Sequence, residues 1–163
     1  MKYQHIFLAF PLALTAIGAQ SQNMPHHHDS HGDATIGRTG AAAQVVRTIE
    51  VDMNDSMRFS PDSIEVKTGD TIRFIVTNSG RIRHEMVFGT DAQLKSHYVA
   101  MLKNPGMKHT DANQISLAPG KSGDLIWQFS QAGTISFACL EPGHYDAGMK
   151  GSVKVASVGT MHQ

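Results

Sequence analysis

The sequence predicts an all-β protein, a two-sheet antiparallel β-sandwich with one short inserted helix. Three observations carry that expectation. Short runs rich in β-branched and aromatic residues recur at residues 45–51, 64–66, 71–78, 84–89, 115–117, 125–129, 134–139 and 151–156. Turn signals punctuate them, among them Lys67-Thr68-Gly69-Asp70, Pro119-Gly120-Lys121 and Gln131-Ala132-Gly133. Seven or eight such strands with regular turns suit a sandwich. The third observation is one stretch, residues 90–103, that breaks the pattern. Thr90 and Gln93 form a capping box, Leu94, Tyr98, Met101 and Leu102 recur at helical spacing, and Asn104-Pro105-Gly106 stops the helix.

Taken in order, the chain begins with Lys2 and an apolar run from Ile6 to Ile17, interrupted by Pro11 and too short to span a bilayer. Residues 1–19 read as a secretory signal peptide, with cleavage after Gly18 or Ala19, no membrane anchor afterwards, and the periplasm as destination. Residues 20–44 are polar and aperiodic, and read as a disordered His-rich tail and linker. His26, His27, His28 and His31, with Met24, Asp29 and Asp33 nearby, can assemble an imidazole and carboxylate site for additional Cu(II), or for Zn(II) or Ni(II). A cloning tag is the plain alternative, but this spacing behind an export signal is not a tag pattern. Residues 45–158 form the single folded domain that 163 residues with 40% hydrophobic content support. The 14 basic and 14 acidic residues balance, so no global field favours nucleic acid or an anionic membrane.

Chemistry concentrates in Cys139-Leu140-Glu141-Pro142-Gly143-His144-Tyr145-Asp146-Ala147-Gly148-Met149. An exported chain with one cysteine cannot staple itself, so Cys139 is a buried inert thiol, half of an intermolecular disulfide, or a metal ligand. His144 and Met149 on the same loop favour the ligand. A soft thiolate, neutral imidazoles and a weak axial thioether suit copper cycling between Cu(I) and Cu(II), although thiolate and imidazole also suit zinc. His84 is the best candidate for the remaining ligand, because it opens an apolar strand directly after a Gly-containing turn.

The ordered set His84, Cys139, His144 and Met149, the upstream stretch from Met57 through Asp70, Asn78-Ser79-Gly80 and the closing Gly151-Ser152-Val153-Lys154-Val155 together resemble the cupredoxins, the small copper proteins that include azurin, plastocyanin and auracyanin. Within them the likeness is greatest to periplasmic copper-tolerance cupredoxins, which also carry a His-rich segment ahead of the domain. The resemblance implies a Greek-key cupredoxin fold and one mononuclear type 1 copper, blue or green. It also departs at Glu85, which follows the first His where azurin and plastocyanin often have Asn. Glu85 either hydrogen-bonds across the ligand loops or approaches the metal as the acidic ligand of nitrosocyanin does; the first role is favoured because Met149 fills the axial position.

His97, Met101, Met107 and His109 raise a second soft-metal site, but a helical Met usually fills core and a surface His is usually solvated. The functional expectation is copper tolerance by capture, with electron transfer to or from a periplasmic redox or copper-handling partner. The alternative is a dedicated carrier for a respiratory reductase or oxidase. An enzymatic role ranks last, since the sequence shows no catalytic acid, nucleophile or second copper domain.

Overall fold

The β-branched runs fold as strands. In the computed structural model, which describes residues 35–105 and 111–159, they build two five-stranded sheets facing one another. The elements are β1 (Arg38–Thr39), β2 (Val45–Asn54), β3 (Arg58–Ser60), β4 (Ser63–Lys67), β5 (Thr71–Asn78), β6 (His84–Gly89), α1 (Asp91–Lys103), β7 (Gln114–Leu117), β8 (Ser122–Gln128), β9 (Gly133–Ala138) and β10 (Lys150–Ala156). The first sheet has the order β1-β8-β5-β2-β3 and the second β4-β10-β9-β6-β7. The sandwich with one inserted helix is as expected, but the sheets are mixed rather than purely antiparallel. Val45–Asn54 runs parallel to Thr71–Asn78, and Ser63–Lys67 parallel to Lys150–Ala156.

The segment expected as linker is structured at its end. Ile36 is buried, its carbonyl accepts a 2.6 Å hydrogen bond from Trp127 Nε1, and β1 pairs with β8. Gly37 makes this approach possible. Its φ is +101°, and a Cβ there would lie 2.2 Å from the Gln128 carbonyl oxygen. The proposed signal peptide and the tail histidines His26, His27, His28 and His31 lie outside the described residues, as do Met107 and His109.

Between the sheets, Phe74, Phe88, Phe129, Phe137 and Trp127 form the centre of the core. Phe88 stacks on Trp127 and meets Phe129 and Phe137 edge-on. All six residues of β6 are buried, because the strand is covered on both sides. Met86 and Phe88 point into the sandwich, whereas Val87 joins a second cluster with Leu94, Tyr98, Met101, Ala138, Leu140 and Tyr145 beneath α1. The helix begins with the expected capping box: Gln93 N donates to Thr90 Oγ1 at 3.2 Å, and Thr90 N donates to Gln93 Oε1 at 2.8 Å. Its buried stripe is Leu94, Tyr98 and Met101. Leu102, expected on that stripe, is 48% exposed, since one residue beyond Met101 the helix surface has turned by about 100°.

Candidate metal centre

Strand alternation decides which side chains can meet. Along β6, His84 shares the inward parity of Met86 and Phe88, and beyond β9 Cys139 shares the inward parity of Ile135 and Phe137. Both residues sit at strand ends, His84 opening β6 and Cys139 directly after β9, and the two strands pair with each other. The donor atoms of His84, Cys139 and His144 lie within 4.8 Å of one another, the one such group of three or more His, Cys, Asp or Glu side chains among the described residues. Cys139 Sγ is 3.2 Å from His144 Nδ1, and the two imidazoles are tilted at 49° with centroids 4.9 Å apart. Met149 immediately precedes β10, is fully buried in the same core, and accepts a 3.1 Å hydrogen bond from Cys139 N at its carbonyl.

The first imidazole is oriented from outside the loop. His84 Nε2 lies 3.2 Å from Asp55 Oδ1, in the turn between β2 and β3, while its fully buried Nδ1 has no hydrogen-bond partner. A carboxylate on Nε2 assigns the proton there and leaves the buried Nδ1 lone pair free. Asp55 is itself fixed by Arg81 N at 3.0 and 2.9 Å and by Ile82 N at 3.4 Å. These amides, the Arg81 N–H above all, hold its carboxyl below the usual carboxylate range. Asn78, at the end of β5, completes the frame. Its Nδ2 donates to the carbonyls of Ile82 at 2.8 Å and Leu117 at 3.0 Å, and its Oδ1 accepts from Gly80 N at 2.9 Å. Asp55 escaped sequence reasoning, because Asn54-Asp55-Ser56 has only the character of a turn.

The electrostatics suit a cation. Burial pushes the Cys139 thiol up to about 12, so as a thiolate the sulfur needs a positive charge beside it. The Glu85 amide already points at Sγ from 3.4 Å. Burial, and next the proximity of His84, lower the pKa of His144, which favours the neutral imidazole with one ring nitrogen available as a donor to a metal. One thiol and two imidazoles, with a buried thioether in the same core, make a donor set suited to a soft or borderline ion.

Glu85 lies on the other side of β6 and is not part of the converging group. Its Oε1 accepts from Leu140 N at 3.0 Å, so it straps the His84 strand to the Cys139 strand, the first of the two roles the sequence left open. Burial first, and the charge of Glu141 second, push its carboxyl up to about 7. Of the residues raised for a second metal site, Met101 is packed in the core beneath α1 and His97 is half-buried on the helix.

The whole frame has counterparts. Residues 45–156 match the family of copper binding proteins, plastocyanin/azurin family. The chain is 49% identical over 130 residues to the copper-resistant cuproprotein CopI of Rubrivivax gelatinosus, covering 80% of this chain and 78% of that one. With the protein of the same name from Pseudomonas aeruginosa it shares 36% identity over 167 residues, covering 85% and 89%. The crystal structure of a reduced auracyanin from Roseiflexus castenholzii superimposes with a TM-score of 0.58 and 26% identity, over 69% of this chain and 98% of that one. A β-sandwich that gathers a buried thiol and two imidazoles at one end, matched from β2 to β10 by that family, makes this chain a member of the plastocyanin/azurin family of copper-binding proteins, a cupredoxin similar to CopI.

Proposed function

We propose that the chain is a periplasmic copper-tolerance cupredoxin that holds one copper ion through His84, Cys139, His144 and Met149. The observation that carries this reading is the convergence of three donor atoms within 4.8 Å of one another, with the buried His84 Nδ1 left free of any hydrogen bond. Copper in such a set supplies a one-electron couple between Cu(I) and Cu(II). The chain's own residues do the rest. Asp55 orients one imidazole, the Glu85 amide stabilises negative charge on the sulfur, and the Glu85 carboxylate binds the two ligand-bearing strands together. Because His84 and Cys139 come from strand ends, the donors need little rearrangement when the charge on the metal changes. The copper-resistance names of the relatives support tolerance as the role, with His26, His27, His28 and His31 as a capture tail in the exported protein.

Cys139→Ser tests the centre. The copper-loaded parent should show intense thiolate-to-copper absorption and one tightly held copper, and the variant should lose both. A variant with the parent's spectrum and stoichiometry would sink the assignment. Deleting residues 21–33 tests the tail: growth on high copper should weaken, and undiminished growth would rule out capture there. The likeness to auracyanin favours a second reading, a dedicated periplasmic electron carrier. That reading instead expects a respiratory defect under ordinary copper when the protein is absent.

A further inference from the structure

The loop carrying His144 is shaped by hydrogen bonds of its own: His144 N to Glu141 O at 3.0 Å, Ala147 N to Gly143 O at 3.1 Å, Gly148 N to Tyr145 O at 3.1 Å and Met149 N to His144 O at 3.1 Å. These define a turn without fixing where it sits. Arg58 Nη1, from β3, donates to Ala147 O at 3.0 Å, and one oxygen from the inserted helix anchors the loop from its other side. Tyr98, 2% exposed on α1, accepts a 3.1 Å hydrogen bond from Gly143 N and donates one of 2.8 Å to Asp146 Oδ2. A phenolic oxygen has one proton to give and lone pairs to receive, so both bonds form at once. They land on either side of His144.

The ring adds a second constraint. Tyr98 stacks on Tyr145, with centroids 5.0 Å apart and planes at 26°, and Lys150 Nζ lies 3.7 Å from the Tyr145 centroid. Tyr145 follows His144, and Lys150 follows Met149. Tyr145, next to one proposed ligand, is therefore held against the Tyr98 ring, and Lys150, next to another, against the Tyr145 ring.

We infer that Tyr98 is a positioning residue of the copper centre, and that the inserted helix serves to hold the His144 side of the loop in place through this side chain. The inference rests on the reading of His144 as a ligand. Gly143 and Asp146 are both exposed, so water can replace the phenol at each when it is removed. The loop then gains freedom while the fold survives, which separates positioning from mere support of the core.

Tyr98→Phe keeps the ring and removes both hydrogen bonds. In the metal-free variant, hydrogen exchange at the Gly143 amide should accelerate about tenfold. In the copper-loaded variant, one copper should still bind, but the energies and relative intensities of the thiolate-to-copper bands should shift. Asp146→Asn, which retains an oxygen to accept the phenol proton, should stay near the parent in both measurements. If Tyr98→Phe leaves either the Gly143 exchange rate or the copper spectrum unchanged, the inference is overturned. A parent chain that takes up no copper would overturn the metal reading instead. The exchange measurement, made without metal, would still decide whether Tyr98 fixes the loop.

Discussion

The two sheets serve the centre in different ways. Three of the four proposed donors sit at strand ends of the second sheet: His84 opens β6, Cys139 follows β9 and Met149 precedes β10. The first sheet contributes none of the four. It contributes one side of the core through Ile72, Phe74, Val76 and Trp127, and two polar side chains at its near end, Asn78 and Asp55, that fix the approach to His84. The difference shows how a rigid site can be made from weak parts. Donors that must move little are placed on one layer, and two of the groups that keep the first imidazole from moving, Asp55 and Asn78, are placed on the other.

That division can be broken most severely from the first sheet. Trp127 is 1% exposed, stacks on Phe88 and bonds to Ile36. Trp127→Ala should destabilise the metal-free protein by about 3–5 kcal/mol in urea unfolding, while the fraction that remains folded keeps the parent's copper spectrum. A spectrum that changed in step with stability would erase the distinction between the layers. A smaller effect of the opposite kind is expected at Asp55. An Asn there can present an N–H to His84 Nε2, which would move the ring proton to Nδ1, into the donor cluster. Asp55→Asn should weaken copper binding about 10- to 100-fold in a competition titration, with little change in the unfolding of the metal-free chain. Least of all should matter on the exposed face of the first sheet, where the Arg73 and Asp124 side chains pair at 45% and 40% exposure. Asp124→Asn should cost about 0–1 kcal/mol and less in high salt, and a larger loss would mean that the first sheet depends on its outer surface.

The same contrast explains what could be read from the letters. Strands such as Thr71–Asn78, where β-branched and aromatic residues alternate between turns, announced themselves locally, as did the helix through Thr90 and Gln93. Arg38–Thr39 and Arg58–Ser60 did not, because two or three residues carry no periodicity. Nor did the parallel pairs, since a strand's own pattern is silent about the direction of its neighbour. At the site, the converging side chains belong to the residue types that bind metal, so their chemistry was legible. Asp55 and Tyr98 act only through contacts the fold creates, Asp55 with a residue 29 positions away and Tyr98 with one 45 positions away. Leu102 followed helical spacing and still faced outward, because the stripe that the sheet covers is narrower than the apolar run.

Consecutive positions in β6 hold an imidazole and a carboxyl, one turned to the thiol and the other to the helix. A slip of this strand by a single residue against β9 would exchange them, delivering an acid to the sulfur and burying a base under α1. Pairing error here would thus leave a chain that looks folded yet has swapped the proposed soft ion's pocket for a hard ion's, so on that proposal faithful strand alignment is a condition of metal selectivity as well as of stability.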